Sequence, residues 1–330
     1  MPRDDPGDGG NDSIATICDM RIALAVTRTC FSSGVAALLD ILVTAEARRV
    51  DVDRSIPPLD VRVLGPGRRV TTSSGMDLPV DGPLSDLGSH DIVVVPALGT
   101  MTGDDTLACL RRDDVRALVT AIGGLAPTAH TVAAACTGVF PVAEAGWLAR
   151  RRATTSWWLW PAFRQRYPAV TLDVDAMVVA DDHVVTAGAA FAHIDLALAL
   201  VRRHSPALAD HVAQLLVIDQ RPSQSAYIAI DHLVHNDPLV LAFEHHARAH
   251  LNGPLDIGEV AAAIGTSRRT LERRTGAALG MSPLSVIQRL RVERADHLVR
   301  TTGHSLERIA SEVGYGNAST LRALMRRMRR

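Results

Sequence analysis

Lysine is missing from this 330-residue chain: all 35 of its Lys and Arg positions are Arg. We attribute this to genome base composition rather than to a physical requirement. Long apolar runs are missing too, and no stretch reaches the roughly 18 residues that a membrane-spanning helix needs. The first residues, MPRDDPGDGGNDS, lack the basic patch and apolar core of a secretion signal. Their acidic, Gly- and Pro-rich composition predicts a disordered tail over 1–19. The four cysteines (Cys18, Cys30, Cys109, Cys136) make no CxxC pair and no His/Cys metal spacing. This argues against structural zinc and for a reduced, cytoplasmic chain, with no cofactor or metal expected. Aromatic residues are only 4% of the chain, so Trp157, Trp158 and Trp160 stand out as a cluster.

What is present is divided unevenly. From 246 to 330 there are 15 Arg against 7 Asp or Glu, leaving 20 basic and 29 acidic residues in the first 245. A basic end on an acidic body predicts an anionic partner for that end. The length suits two domains.

The first 200 residues alternate between two periods. RIALAVT (21–27), DVRVL (60–64), DIVVVPA (91–97) and HTVAAAC (130–136) are short β-branched-rich runs, with helical patterns such as SGVAALLDILVTAEAR (33–48) between them. This alternation predicts an α/β domain over 20–205, a doubly wound parallel sheet. VTLDVDAMVVADDHVVTAG (170–188) reads instead as a hairpin turning at ADD. Ligands of such sheets bind beyond the carboxyl ends of the strands, where Cys136, Gly99 and Thr100 fall. Beyond 205 the periodicity is helical throughout. Residues 206–245 read as a helical linker with helices at 207–217 and 237–251, and 246–330 as an all-α domain.

That last block repeats one pattern. LDIGEVAAAIGTSRRTLERRTGAALGMSP (255–283) places a short helix, a turn at Gly265, and a second helix capped by Ser267 that carries Arg268, Arg269, Arg273 and Arg274. SLERIASEVGYGNASTLRALMRRMRR (305–330) repeats it, with Gly314 at the turn and Asn317 or Ser319 as cap. Its second helix carries Thr320, Arg322, Arg326 and Arg327. Ala262 and Ala310 fall where paired helices must approach closely. Two helix-turn-helix units about 50 residues apart, joined by one helix, predict double-stranded DNA as the partner, through phosphate and guanine-edge contacts.

SRRTLERR, GMSPLSVIQRLRVERADHLV and IASEVGYGNASTLR, in this order, resemble the AraC family of transcription regulators. The resemblance implies two recognition helices, near 267–278 and 318–328. Ser267, Arg268, Arg269, Arg273, Arg274, Asn317, Ser319, Thr320, Arg322 and Arg326 are their expected DNA contacts. Thr275 and Met325 stand where the family usually has Phe, and Ala323 where it often has Arg. The chain ends at Arg330, before a Gly-x-Ser-Pro-x-x-Tyr-Arg ending common in relatives, and a looser second unit is the expectation.

VVVPALGT, AACTGVFPVAEAGWLARRRATTSWW and VVTAGAAFAHIDLAL resemble the class I glutamine amidotransferase-like superfamily, which includes intracellular proteases and isonitrile hydratases. The resemblance puts Cys136 on a nucleophile elbow, with Gly99 and Thr137 supplying nearby N–H groups. A reactive cysteine needs a base or a cationic neighbour. Ser156 stands where many relatives have His, residue 137 is Thr, and neither is a base near pH 7. His193 is the reserve candidate. The elbow is therefore expected to be vestigial and the protein not an enzyme. Asp40, Gly99, Thr100, Cys136, Thr137, Ser156, Trp157 and His193 are expected to bind a small-molecule effector. The implied protein is a homodimeric, cytoplasmic, nucleoid-associated regulator with RNA polymerase as a further partner. The alternative is a cysteine-dependent hydrolase or hydratase fused to a DNA-binding domain.

Overall fold

The computed structural model describes residues 19–219, 221–224 and 237–329. The expected tail up to residue 18, with Cys18, lies outside the described residues, as do 225–236 of the expected linker. Among the described residues ten strands follow in chain order: β1 (Met20–Ala25), β2 (Leu59–Leu64), β3 (Arg69–Thr71), β4 (Asp77–Pro79), β5 (Ile92–Val95), β6 (Thr131–Ala135), β7 (Arg152–Ala153), β8 (Thr171–Leu172), β9 (Val178–Asp181) and β10 (Val184–Ala187). Six form the central sheet in the order β2-β1-β5-β6-β10-β9. All its pairings are parallel except the β9–β10 hairpin. That hairpin turns at Asp182, whose φ of +55° is the left-handed geometry such a turn requires.

Alternation along the strands divides the core into two layers. Ile22, Leu24 and Val94 face α1 (Ser32–Val52), α6 (Ala192–His204) and α7 (Pro206–Leu215). Ala23, Ala25, Val93 and Val95 face the opposite layer. That layer holds α3 (Asp113–Gly123), α4 (Val139–Glu144) and α5 (Trp160–Arg166), with α2 (Gly103–Cys109) beside them. α1 shows why the sequence folds this way: Val35, Leu38, Ile41, Leu42 and Ala45 recur at helical spacing and are all buried.

The two stretches read as linker helices each belong to a core. α7, started by Ser205 accepting from Leu208 N–H, buries Leu208, Ala209 and Val212 against the sheet domain. The helix Pro238–Ala249, capped by Asp237, buries Val240, Phe243 and Ala247 in the C-terminal domain. The helical repeat follows as Ile257–Ala263, Arg268–Leu279, Pro283–Thr301, Leu306–Glu312 and Ala318–Arg329. The long helix Pro283–Thr301 feeds both helical cores: Val286, Ile287 and Leu290 pack in the first, and Val292, Ala295 and Leu298 in the second. The close-packed alanine of the first unit is Ala261, not Ala262, which is exposed; Ala310 is buried as expected. Trp160, although on α5, is fully buried within the first helical core.

Candidate elbow site and nucleic-acid interface

β6 ends in the fully enclosed core and delivers Cys136 at the carboxyl edge of the sheet, where φ is +55°. A non-glycine residue in this region is strained, and strand-to-helix elbows that expose a nucleophile use the same conformation. The turn is tight: a Cβ on Gly138 would lie 2.4 Å from the Pro96 carbonyl oxygen and 2.5 Å from that of Val95. Gly99, at φ +75°, is equally confined, since a Cβ there would meet the Thr29 carbonyl oxygen at 2.0 Å.

The elbow is present, but it is sealed. Cys136 is 3% exposed, and Thr137, Thr155, Ser156 and His193 are wholly buried around it. Ser156 Oγ lies 2.9 Å from Cys136 Sγ and donates to the Gly188 carbonyl at 3.1 Å. Thr155 Oγ1 donates to the Cys136 carbonyl at 2.8 Å. Burial pushes the Cys136 thiol above its ordinary pKa, outweighing the opposing influence of the polar groups of Ser156 and Thr137 beside it. The thiol is therefore held protonated, the opposite of what a nucleophile requires.

The N–H groups that precede Gly99, like the reserve histidine, are already engaged. Leu98 N–H, beside Gly99, donates to Thr137 Oγ1 at 2.7 Å. Ala97 N–H donates to His193 Nε2 at 3.1 Å, and His193 Nδ1 meets the Ala190 carbonyl oxygen. With Nε2 accepting, Nδ1 carries the proton, so the ring is neutral. Burial lowers its pKa to about 4. The ring also fills the space beside Gly34, whose absent Cβ would lie 2.7 Å from it. His193 is thus a strut between loops rather than a base.

Other expected ligand contacts are placed elsewhere. Asp40 is exposed on α1, with its carbonyl taken by the Thr44 hydroxyl, and is not brought to the buried elbow. Thr100 Oγ1 lies 2.7 Å from Thr106 Oγ1. Trp157 is half-buried and packs against the first helical core.

Each recognition helix begins on a polar cap. Ser267 Oγ accepts from Thr270 N–H at 3.2 Å, and the Asn317 carboxamide oxygen accepts from Thr320 N–H at 2.9 Å. Gly265 (φ +72°) and Gly314 (φ +79°) make the two turns. Arg268, Arg269 and Arg273 are exposed on the first helix, with Arg268 paired to Glu272 at 2.9 Å; Arg322 and Arg326 are exposed on the second. Arg274 departs from the expected pattern. It pairs with Asp237 at 2.7 Å, pinning the recognition helix to the cap of the helix Pro238–Ala249. Ser319 and Thr320 direct their hydroxyls onto the Asn317 carboxamide oxygen.

Sequence reasoning missed the residues that join the domains. Arg164 of α5 donates to the Gly276 carbonyl of the first recognition helix at 3.1 Å, and Arg289 of the long helix pairs with Asp175. Only the tryptophan cluster offered a signal, since buried tryptophan at a domain boundary is a common packing device.

Comparison with known proteins matches residues 13–203 to the DJ-1/PfpI family and 260–330 to a helix-turn-helix domain. The HTH-type transcriptional regulator CdhR of Pseudomonas aeruginosa is 31% identical over 258 residues, which are 77% of this chain and 74% of that protein. The HTH-type transcriptional regulator GbdR of the same species is 25% identical over 254 residues, 76% of this chain and 66% of GbdR, just under two thirds of its length. Among solved structures, an AraC family transcriptional regulator from Pseudomonas putida is similar at 20% identity and a TM-score of 0.49, over 60% of this chain and 99% of that one. Drosophila melanogaster DJ-1beta is similar at 18% identity and a TM-score of 0.49, over 62% and 100%. The chain belongs to the DJ-1/PfpI family and, through its C-terminal helix-turn-helix domain, to the AraC-type transcription regulators.

Proposed function

We propose that this regulator binds paired DNA half-sites as a cytoplasmic homodimer, and that a small molecule entering near the elbow alters how its helix-turn-helix units are presented. The observation that carries this reading is the pair of arginine-bearing recognition helices mounted on one shared helix, Pro283–Thr301. Arg268, Arg269, Arg273, Arg322 and Arg326 are their exposed cations. Arg274 is reassigned to holding the helix in place. Contact with RNA polymerase follows from the same reading.

An effector can act only by favouring one domain arrangement over another. Contacts of the kind this needs run from the elbow outward. Cys136 touches Ser156, the adjoining Thr155 carbonyl accepts from Trp160 Nε1 at 3.2 Å, and Trp160 is buried in the first helical core. Footprinting on DNA from the gene's own upstream region tests the reading. Protection of successive major-groove segments on one DNA face supports it, with Arg268→Ala relaxing preference at one base pair by about 1–3 kcal/mol. Uniform weakening on every sequence would make Arg268 a phosphate contact.

The strain kept at Cys136 favours a second reading, a cysteine-dependent hydrolase. The protonated thiol and the engaged His193 oppose it. Turnover of an amide or isonitrile that disappears in Cys136→Ala would establish it.

A further inference from the structure

Gln224 is a polar residue without a single exposed atom, and it closes the chain segment that leaves the sheet domain. That segment is strapped to the loop before β9. Met177 N–H donates to the Pro222 carbonyl at 3.1 Å, Gln224 N–H to the Asp175 carbonyl at 2.9 Å, and Ser223 Oγ to the same carbonyl at 2.8 Å. Ala176 and Ser223 form an isolated antiparallel bridge.

The side chain turns inward, toward the elbow. Its Nε2 donates to Thr154 Oγ1 at 3.1 Å, the Thr155 carbonyl at 3.1 Å and the Ala176 carbonyl at 3.3 Å. Two of these three acceptors are carbonyl oxygens and cannot donate, so the nitrogen end of the amide must face them. The other end is unmatched: Oε1 is buried without a hydrogen-bond partner among the described residues. An unmatched buried acceptor is unfavourable, so the site satisfies the nitrogen end of the Gln224 amide and not its oxygen. Gly188 makes room for it, since a Cβ there would lie 2.7 Å from Oε1. The Gly188 carbonyl also receives Ser156, the neighbour of Cys136.

We propose that Gln224 is a built-in occupant of a donor-recognising site beside the elbow, and that the effector carries an N–H-bearing group (a primary amide or an ammonium) that takes its place. Rotation of Gln224 out of the site removes the side chain that anchors the strap. The strap's partner Asp175 holds Arg289 of the long helix through its carboxylate, so release is felt by the helix that supports both recognition helices. This inference deepens the regulator reading and rests on it.

The experiment is amide hydrogen exchange on the full-length chain, following the amides of residues 177 and 224 in wild type and Gln224→Ala, with propionamide or propionate added. Exchange about tenfold faster in Gln224→Ala is expected, as for loss of one or two net hydrogen bonds. Propionamide should restore protection and propionate, which has no N–H, should not. Gln224→Met, which keeps the volume without the donor, should also exchange faster, and it covers the case in which the alanine variant fails to fold. Wild-type protection in Gln224→Met or Gln224→Ala, or equal effects of propionamide and propionate on Gln224→Ala, would overturn the proposal. None of these readouts involves DNA. Their failure therefore leaves the regulator reading intact, while absence of selective DNA binding would count against that reading without altering these exchange results.

Discussion

Cys136 combines a backbone conformation that costs on the order of 1–3 kcal/mol with a side chain that burial keeps protonated. Reactivity follows the thiolate fraction and access, and both are low here. Iodoacetamide at pH 7.5 should label Cys136 at least about tenfold more slowly in the native chain than in the unfolded one; labelling as fast as free cysteine would show that the elbow is open. His193 makes a second prediction. Its folded pKa of about 4 lies below the ordinary 6.5 because its charged form would be desolvated. The unfolded chain therefore takes up the proton first as pH falls, so this contribution is complete above about 6.5 and is lost on the way down to about 4. The loss is on the order of 3 kcal/mol. Urea titrations at pH 7 and pH 4.5 should show it, and His193→Gln should flatten the difference. An unchanged pH dependence in that variant would refute the assignment. At this scale Cys136 was legible because an elbow needs a cysteine between a small-residue strand and a helix. The engaged state of His193 was not, because its partners Ala97 and Ala190 are backbone groups with no sequence signature.

Among elements, the first recognition helix carries a flaw that the sequence announced. Thr275 occupies a core position, is fully buried, and its hydroxyl has no hydrogen-bond partner among the described residues. Replacing that hydroxyl with a methyl of the same shape removes the penalty, so Thr275→Val should raise stability by about 1 kcal/mol in thermal melts. Destabilisation would mean that the hydroxyl has a partner. Helix boundaries were legible where a cap marked them, as at Ser267 and at Asn317, one of the two caps expected for the second unit. What capping could not tell was allegiance. α7 and the helix Pro238–Ala249 share the amphipathic pattern of any surface helix, and only tertiary packing assigns one to the sheet domain and the other to the helical domain. The ion pair of Arg274 was hidden for the same reason: the sequence shows an arginine on a recognition helix, and its partner Asp237 lies 37 residues away.

Across the whole molecule, α5 links the domains: it belongs to the sheet domain by chain position and to the helical domain by the burial of Trp160. Trp160→Ala should cost on the order of 3–5 kcal/mol, read as early unfolding of the helical domain in hydrogen exchange. Loss confined to the sheet domain would contradict that placement. The charge asymmetry and the repeated helix-turn-helix were legible from composition and periodicity. The interdomain contacts were not, because Arg164 and Asp175 are ordinary surface residue types until the fold brings them to Gly276 and Arg289. In the regulator reading the basic domain reads DNA while the elbow does no chemistry. Its most direct test is equilibrium binding of the purified protein to upstream DNA across a salt series, for wild type, Arg322→Ala and Cys136→Ala. Sequence-selective binding should fall log-linearly with salt, weaken in Arg322→Ala and be unchanged in Cys136→Ala. Binding without selectivity at every salt concentration, or turnover that vanishes with Cys136, would contradict it.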